Sequence, residues 1–464
     1  MSAGSETVFA RASGAGRAGV AVFRISGPAA FSIGEKLAGA LPEPKRAGLR
    51  SIRNAGGELI DEGLVITFKN PSSFTGEDVV ELHLHGSAAV EAALYGAMSA
   101  AGARPAEAGE FARRALTNGK LDLAEIEGLS DLLEAETNQQ RMQALRQLGG
   151  ELSQAAESWR NRLLAIMAPL EADIDFPDEE DIPAAIAARA GPEIDSLIDE
   201  LEFSRAASKK AMAIREGVKI AIIGAPNAGK SSLLNRLAGS DRAIVSETPG
   251  TTRDVIEVRL DLGGLLVSLF DTAGLRENSE DSIEIEGMRR TRITADAADI
   301  RILMKDCSRE TFQAGSVSRE TKGGPDQTLS EIPFEYGLLR DGDFIILNKL
   351  DLKLEHKDLT DPQRRVFGMS VTTGEGYEEF LTALGASAAA LCAAEDAPLT
   401  RVRHTDAVSA ALAHLSAARL RLGGNAELAA EDVRLAARAL GRITGVVDVE
   451  DVLESIFSSF CIGK

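Results

Sequence analysis

The stretch VKIAIIGAPNAGKSSLLN (residues 218–235) decides the fold class of the chain. A short apolar run, 220–223, meets a turn rich in Gly and Pro, and a segment with a helical pattern follows. Gly224, Gly229, Lys230 and Ser231 match the spacing G-x-x-x-x-G-K-[ST]. Glycines let backbone N–H groups surround phosphate oxygens, the lysine reaches the β and γ phosphates, and the serine hydroxyl completes a Mg²⁺ shell. With strand, turn and helix in this order, the stretch predicts a nucleotide site rather than a plain Gly-rich turn.

Two further motifs belong to the metal and the γ phosphate. Residues 249–254, PGTTRD, supply a threonine able to ligate Mg²⁺. Residues 265–270 have the pattern of a buried strand, which ends in Asp271-Thr272-Ala273-Gly274. We expect Asp271 beside the metal and the Gly274 amide beside the γ phosphate.

Two motifs belong to the base. A strand at 344–347 ends in Asn348-Lys349-Leu350-Asp351, and Ser370-Val371-Thr372-Thr373-Gly374 follows. A carboxylate such as Asp351 accepts hydrogen bonds from the N1–H and the 2-amino group of guanine, and a base that lacks this pair of donors loses several kcal/mol. Five motifs in this order predict a GTPase.

The catalytic apparatus departs from that of many GTPases. Leu275 stands where a glutamine often orients the attacking water, and the sequence offers no evident arginine finger. Asn227 in the phosphate loop is a candidate ligand for a monovalent cation, or a residue that braces the loop. A carboxylate of residues 280–284 is a candidate for positioning water, although acidic residues there are also typical of a solvated surface.

Composition sets the limits of the remaining interpretation. A chain of 464 residues predicts about two to four domains. A net charge of −20 argues against nonspecific coating of nucleic acid, including DNA, but leaves room for local docking of a polynucleotide. Three cysteines without a close pair indicate a reducing compartment. Apolar runs are shorter than a membrane span and the N-terminus lacks a signal-like pattern, so the expected location is cytoplasmic.

The N-terminal part, residues 1–118, has the pattern of a small α+β domain. Strands are predicted at 20–23, 64–68 and 79–86, and a helix at 87–101 with Ser87 as its cap. Alternation in the third strand puts Glu81, His83 and His85 on one face. This face is interpreted as a polar surface beside a cleft or interface, with a metal site as the alternative.

Helical periodicity flanks the nucleotide-binding unit on both sides. It covers residues 121–217, with an acidic break at 173–181, and returns over 385–440. The economical arrangement is one all-α domain into which an α/β domain is inserted. The predicted boundaries are 1–119 for the N-terminal domain, 120–216 and 383–464 for the two helical parts, and 217–382 for the GTPase domain.

The sequence resembles the bacterial tRNA modification GTPase family MnmE (TrmE) over essentially its full length. Outside the GTPase motifs, the residues that carry this resemblance are 23–27 (FRISG), 73–78 (SFTGED), 109–111 (GEF), 118–125 (NGKLDLAE), 175–180 (DFPDEE) and 460–464 (FCIGK). The terminal FCIGK is very specific to that family.

The resemblance implies an α+β N-terminal domain that binds 5-formyltetrahydrofolate (or methylenetetrahydrofolate) and forms a homodimer. It also implies insertion of the GTPase domain into the helical domain, and a heterotetramer with the flavoprotein MnmG (GidA). Together such proteins convert carbon 5 of the wobble uridine in certain tRNAs to aminomethyl or carboxymethylaminomethyl groups. The implied cofactors are GTP, Mg²⁺, K⁺ and the folate.

The resemblance also assigns roles to individual residues. It implies folate contacts for Arg24, Glu81, Lys120 and Lys464. Potassium ligands fall to Asn227, Ser246, Thr248 and Thr251, and Mg²⁺ ligands to Ser231 and Thr252. Glu284 matches the glutamate that orients water, and Cys461 is a candidate nucleophile or a buried small residue. The full set of expected GTP-contacting residues is Asn227, Ala228, Gly229, Lys230, Ser231, Ser232, Ser246, Glu247, Thr248, Thr251, Thr252, Asp271, Thr272, Ala273, Gly274, Asn348, Lys349, Asp351 and Ser370.

The segment from Lys305 to Asp341 departs from the family pattern, and two alternative functions stay open. Lys305 replaces the usual apolar residue, and 307–335 is polar and Gly-rich enough to form a long loop. The first alternative is a regulatory GTPase switch that binds RNA during ribosome assembly without modifying it. The second is a folate-dependent transferase with a vestigial GTPase. The N-terminal domain shows no basic excess, and the intact motifs with the FCIGK tail favour tRNA modification.

Overall fold

The structure is a computed structural model that describes residues 6–175, 182–244, 257–271, 282–307, 335–352, 361, 363–393, 398–422, 424–447, 456–457 and 463. For residues 172–175, 182–189 and 282–288 it describes the backbone alone. The described chain forms two compact units. The first unit comprises Met1–Leu133, Leu145–Glu202 and Arg403–Lys464, and the second comprises Glu134–Ala144 and Phe203–Val402.

The elements follow one another along the chain in an α+β, then helical, then α/β, then helical order. The N-terminal elements are β1 (Val8–Arg11), β2 (Ala18–Ser26), α1 (Ala30–Ala38), β3 (Ala47–Arg53), β4 (Leu59–Phe68), β5 (Val79–Gly86), α2 (Ala88–Ala100), β6 (Arg104–Pro105) and α3 (Glu110–Thr117). The helices that follow are α4 (Leu123–Glu134), α5 (Asn138–Leu148), α6 (Glu151–Asp175) and α7 (Ile182–Glu216). The next elements are β7 (Val218–Ile223), α8 (Lys230–Ala238), β8 (Glu257–Leu262), β9 (Leu265–Asp271), α9 (Ser282–Ala297), β10 (Ile300–Asp306), β11 (Phe344–Asn348), β12 (Arg365–Gly368) and α10 (Tyr377–Cys392), with 3-10 turns at Tyr336–Leu338 and Leu350–Leu352. The chain closes with α11 (Val402–Arg421) and α12 (Ala426–Thr444).

The first unit contains a mixed sheet in the order β3-β4-β5-β2-β1-β6. All its neighbours are antiparallel except β1 and β6. One face is apolar and forms a core with α1 and α2, which includes Phe23, Leu82 and Leu94. The other face carries Glu81 and His83, because strand residues alternate between faces. The predicted α+β domain is confirmed. The predicted cap of α2 is also confirmed, since the Ser87 side chain accepts a hydrogen bond from the Val90 N–H at 3.2 Å.

A buried ionic cluster joins three helices of the first unit. Glu127 of α4 is 1% exposed and accepts hydrogen bonds from Nε and Nη2 of Arg403, both at 2.6 Å. His404 Nε2 lies 2.9 Å from the same carboxylate, and Arg403 Nη1 also donates to the carbonyls of Arg442 and Ile443 at the end of α12. Burial alone would raise the pKa of Glu127, but the hydrogen bonds from His404 and Arg403 outweigh it and lower the pKa to about 2. These ion pairs and hydrogen bonds therefore join α4, which precedes the second unit in sequence, to α11 and α12, which follow it.

The second unit contains a sheet in the order β12-β11-β10-β7-β9-β8. Its strands run parallel except β8, which is antiparallel to β9. β7, β10 and β11 are mostly apolar and largely buried on both faces, as parallel strands covered by helices are. The predicted strands at 220–223, 265–270 and 344–347 are confirmed. The carboxyl ends of β7, β9, β10 and β11 meet at one edge of this sheet, where ligands of such folds bind.

The last helix of the second unit begins earlier than the sequence pattern predicts. We expected helix from residue 385, whereas α10 begins at Tyr377 after Gly376, which has φ +73°. A Cβ at Gly376 would lie 2.2 Å from the Gly368 carbonyl oxygen, so this tight turn requires glycine. Phe380 and Leu384 of α10 are fully buried in the core of the second sheet. The domain boundaries given above stay predictions.

Glutamine side chains fix α5 to its neighbours. Gln140 and Gln143 donate their amides to the carbonyls of Arg215 and Ala211 of α7, both at 2.9 Å, and Gln147 donates to the Ala124 carbonyl at 2.9 Å. These buried amides satisfy carbonyls that have a second lone pair available. The periodicity of apolar residues predicts the helix, but it does not predict these glutamine hydrogen bonds to neighbouring helices.

Candidate functional site

The phosphate-binding loop lies between β7 and α8 at the edge where the parallel strands end. Gly224 has φ +148°, and a Cβ there would lie 2.3 Å from the Met304 carbonyl oxygen. Gly229, the residue that precedes α8, has φ +106°, and its Cβ would lie 2.1 Å from Nδ2 of Asn348. Both positions require glycine because neighbouring residues approach the backbone closely. The free backbone N–H groups at the start of α8 then face the loop, which suits an anion.

Lys230 is buried within this loop. Its side chain is 5% exposed, and Nζ donates to the carbonyls of Gly224 at 2.6 Å and Ala225 at 3.0 Å. Burial lowers the pKa of Lys230, and the negative charge of Asp271 opposes that shift. A phosphate group in the loop would stabilise the charged ammonium, so the loop is suited to a polyphosphate.

Ser231 and Asp271 are brought together as the sequence predicts. β7 and β9 are neighbours, with Ile222 opposite Asp271, and the Ser231 hydroxyl donates to Asp271 Oδ2 at 3.3 Å. Asp271 is 4% exposed. A hydroxyl and a carboxylate beside a phosphate loop are the oxygen donors that Mg²⁺ prefers, so these residues fit the expected metal.

Asn348 connects three motifs that are far apart in sequence. Its Nδ2 donates to the Ala228 carbonyl at 2.9 Å, and its Oδ1 accepts the Val371 N–H at 3.1 Å. Asn348 is 3% exposed, and Ser370, which begins the 370–374 turn, is fully buried. The Ser370 hydroxyl accepts the Thr373 N–H at 3.2 Å. One buried amide thus holds the phosphate loop and the predicted base-closing turn together.

The rest of the predicted base site lies beside Asn348. Lys349 has φ +68° and its Nζ donates to Asp306 Oδ2 at 2.6 Å. Asp351 is exposed on the 3-10 turn that follows.

Two further predicted residues lie at the phosphate loop. Ser232 is exposed on the first turn of α8, and Asn227 has φ +66° in the loop itself.

Two contributors were missed from the sequence. Asp306 ends β10 beside Lys349, and position at a strand end was the available signal. Arg236 of α8 donates from Nη1 to the Val371 carbonyl at 2.6 Å and stacks on Tyr377 with 4.9 Å to the ring centre. No sequence motif marks Arg236, because its role depends on how α8 packs.

Several predicted residues lie outside the described part of the chain. They are Ser246, Glu247, Thr248, Thr251, Thr252, Thr272, Ala273, Gly274, Cys461 and Lys464. The acidic break was predicted at 173–181, but the backbone of 173–175 continues α6, and residues 176–181 lie outside the described part. Most of the loop 307–335 lies outside it as well. Glu284 lies on α9, of which this part is described by its backbone alone.

A second cluster lies in the first unit, where the family resemblance implies folate contacts. Arg24 of β2 and Glu81 of β5 are opposite each other, and Arg24 Nη2 donates to Glu81 Oε1 at 2.8 Å. The Arg24 guanidinium also lies 5.2 Å from the centre of the Phe74 ring and 5.4 Å from that of Phe111. Lys120 contacts the same turn as Phe74, since a Cβ on Gly76 would lie 3.0 Å from Lys120 Cγ. The cluster combines charged, hydrogen-bonding and aromatic groups.

The two histidines beside this cluster have carboxylate partners. His83 Nε2 lies 3.4 Å from Glu81 Oε2, and His85 Nδ1 lies 2.9 Å from Asp61 Oδ1. Among the described residues, three or more His, Cys, Asp or Glu side chains do not gather into a group able to hold a metal ion. The described helices also include none long and apolar enough to cross a bilayer.

Comparison with known proteins covers nearly the whole chain. The family model described as the MnmE helical domain matches residues 123–461, and that of the GTP-binding protein TrmE N-terminus matches residues 7–120. A protein of Parvibaculum lavamentivorans named tRNA modification GTPase MnmE is 49% identical over 466 residues, which cover 99% of this chain and 100% of that protein. Proteins of the same name from Paramagnetospirillum magneticum and Caulobacter vibrioides are 48% and 47% identical, again over 99% of this chain and 100% of each relative. The chain therefore belongs to the MnmE family of tRNA modification GTPases.

Proposed function

We propose that the chain hydrolyses GTP and acts in tRNA modification. The observation that carries the GTPase part is Asn348, whose amide joins the phosphate loop at Ala228 to the base-side turn at Val371. The names of the relatives support the tRNA part. In finer detail, we propose that the chain works with an MnmG-type flavoprotein in a heterotetramer. This complex modifies carbon 5 of the wobble uridine with a folate one-carbon unit, in the cytoplasm.

Nucleoside mass spectrometry of tRNA from a deletion strain tests this proposal. We expect unmodified wobble uridines in the deletion strain, restoration by the wild-type chain, and no restoration by Lys230→Ala. Lys230→Ala removes the buried ammonium of the phosphate loop. Normal wobble uridines in the deletion strain would contradict the modification and favour a ribosome-assembly switch.

The proposed hydrolysis uses residues on both sides of the phosphate loop. Ser231 and Thr252 would hold Mg²⁺, which would neutralise negative charge on the phosphates, and Asp271 orients the Ser231 hydroxyl. Asn227, Ser246, Thr248 and Thr251 would hold K⁺, which would supply the positive charge that an arginine finger provides in other GTPases. Glu284 orients the attacking water.

The cation requirement predicts a difference between salts. At equal ionic strength, we expect GTP turnover to be about tenfold faster or more in KCl than in NaCl, because Na⁺ is too small for the same ligand set. Asn227→Ala should remove most of this difference while GDP binding persists. Equal turnover in the two salts would show that the potassium assignment is wrong.

The cluster of Arg24, Glu81, Phe74 and Phe111 is the proposed folate site, together with Lys120 and Lys464. Glu81 accepts hydrogen bonds from ring N–H groups, and Phe74 and Phe111 lie against the Arg24 guanidinium that fixes Glu81. By calorimetry, Arg24→Met should weaken 5-formyltetrahydrofolate binding about tenfold, as loss of a charge-assisted contact does. Arg53→Met, at an exposed position of β3, is the matched control. Unchanged folate affinity in Arg24→Met would show that the folate does not bind at this cluster.

Exposed apolar residues on the first sheet support the proposed homodimer. Leu49 of β3 and Leu64 of β4 are opposite each other and are 68% and 43% exposed. Neighbouring apolar side chains that are exposed to water on one face of a sheet are consistent with an association surface.

A further inference from the structure

The end of β10 contacts two consecutive residues of the base-recognition motif. Asp306 Oδ2 accepts a hydrogen bond from Lys349 Nζ at 2.6 Å. The next residue, Cys307, donates to the Asn348 carbonyl from its backbone N–H at 3.1 Å and from Sγ at 2.8 Å. Asp306 is opposite Asn348 in the parallel register of β10 and β11. Side chains from one strand end therefore hold the start of the neighbouring motif.

Lys349 adopts an unusual backbone conformation at this point. Its φ of +68° lies in the left-handed region, which is unfavourable for a residue with a Cβ. The side chains of Lys349 and Asp306 are 30% and 13% exposed, so their ion pair is partly shielded from water. The pair stabilises Lys349 in this conformation, and the chain then enters the 3-10 turn Leu350–Leu352 that carries Asp351.

We infer that Asp306 is a positioning residue for guanine recognition. By holding the Lys349 ammonium, Asp306 fixes the left-handed backbone conformation of Lys349. This conformation sets the direction of the 3-10 turn that presents the Asp351 carboxylate to the N1–H and 2-amino group of the base. Asp306 acts through Lys349 and does not contact the nucleotide itself. The inference rests on the proposed guanine-nucleotide function and adds a residue that the N-K-x-D motif does not contain.

A purely structural ion pair between β10 and β11 would have a different consequence. Its loss would destabilise the second unit and weaken all purine nucleotides by the same factor. A positioning role affects most strongly the hydrogen bonds that the base edge makes, since these depend on the direction of the carboxylate. The ratio of affinities for GDP and inosine diphosphate, which lacks the 2-amino group, separates the two roles.

The test measures dissociation constants of GDP and inosine diphosphate for the full chain. We expect Asp306→Ala and Asp306→Asn to weaken GDP about tenfold and inosine diphosphate clearly less, so that discrimination falls at least about threefold. In a Lys349→Met background, the further change to Asp306→Ala should alter GDP affinity by less than about twofold. Asp361→Ala, which breaks the Asp361–Arg364 ion pair of the same unit, is the matched control and should leave the ratio unchanged.

The outcomes separate this inference from the function on which it rests. An unchanged ratio in both Asp306 variants, or additive effects of Asp306→Ala and Lys349→Met, overturns the positioning role alone. A wild-type chain that binds neither nucleotide, or binds both equally, overturns the guanine-nucleotide function and the inference with it. If Asp306→Ala does not fold, Asp306→Asn decides, because it keeps the volume of the side chain and removes the negative charge that holds the Lys349 ammonium.

Discussion

The Asp351→Asn variant is expected to bind xanthosine triphosphate in preference to GTP. The carboxylate accepts hydrogen bonds from the N1–H and the 2-amino group of guanine. An amide in its place offers an N–H to the 2-amino group, which cannot accept it, whereas the 2-oxo group of xanthine can. Sites that lose a hydrogen-bond pair of this kind discriminate by factors of 10⁴ or more, and we expect a loss of GTP affinity of about 100-fold at least.

Competition binding with a fluorescent nucleotide measures both affinities for this variant. Asp351 is exposed on the 3-10 turn, so its substitution leaves the core of the second unit unchanged. Asp341→Asn, also at an exposed position of this unit, is the control and should bind GTP as the wild type does. GTP affinity that is unchanged in Asp351→Asn would contradict the base assignment.

The sequence predicts the strands of the second sheet where hydrophobic runs are continuous. Residues 220–223, 265–270 and 344–347 carry no charged residue and were found. β10 was missed, because Arg301 and Lys305 interrupt its apolar run. Arg301 is nevertheless 1% exposed, with Nη1 3.7 Å from Asp343 Oδ2 and Nη2 donating to the Ala298 carbonyl. A buried arginine with a nearby carboxylate is tolerated in a strand, and sequence does not reveal that the carboxylate is near.

For the candidate site, the sequence predicts which residues take part but not how they are connected. Motif spacing identifies Gly229 and Asn348 separately, whereas the structure shows that only glycine at 229 leaves room for the Asn348 amide. Strand order, which brings β10 between β7 and β11, also places Asp306 beside Lys349. These contacts depend on tertiary packing, and a linear pattern carries no information about them.

The Glu127→Ala variant is expected to lose about 3–5 kcal/mol of unfolding free energy in the first unit at pH 7. The substitution leaves Arg403 and the fully buried His404 without this carboxylate partner. Trp159, the single tryptophan, is 2% exposed on α6 of the same unit, so its fluorescence during urea unfolding reports on this unit. Glu202→Ala, at an exposed position of α7, is the matched control and should change the midpoint little.

The same carboxylate predicts how this difference depends on pH. The pKa of Glu127 is lowered in the folded state, from 4.5 to about 2, so its contribution to stability is fully present above about pH 4.5. As the pH falls from 4.5 towards 2 the carboxylate is protonated, and about 3 kcal/mol of that contribution is lost. The gap in unfolding free energy between wild type and Glu127→Ala should therefore be constant between pH 7 and 5 and shrink below pH 4.5. A gap that stays constant down to pH 3 would mean that the charge of Glu127 does not stabilise the cluster, and that the variant is destabilised by lost packing alone.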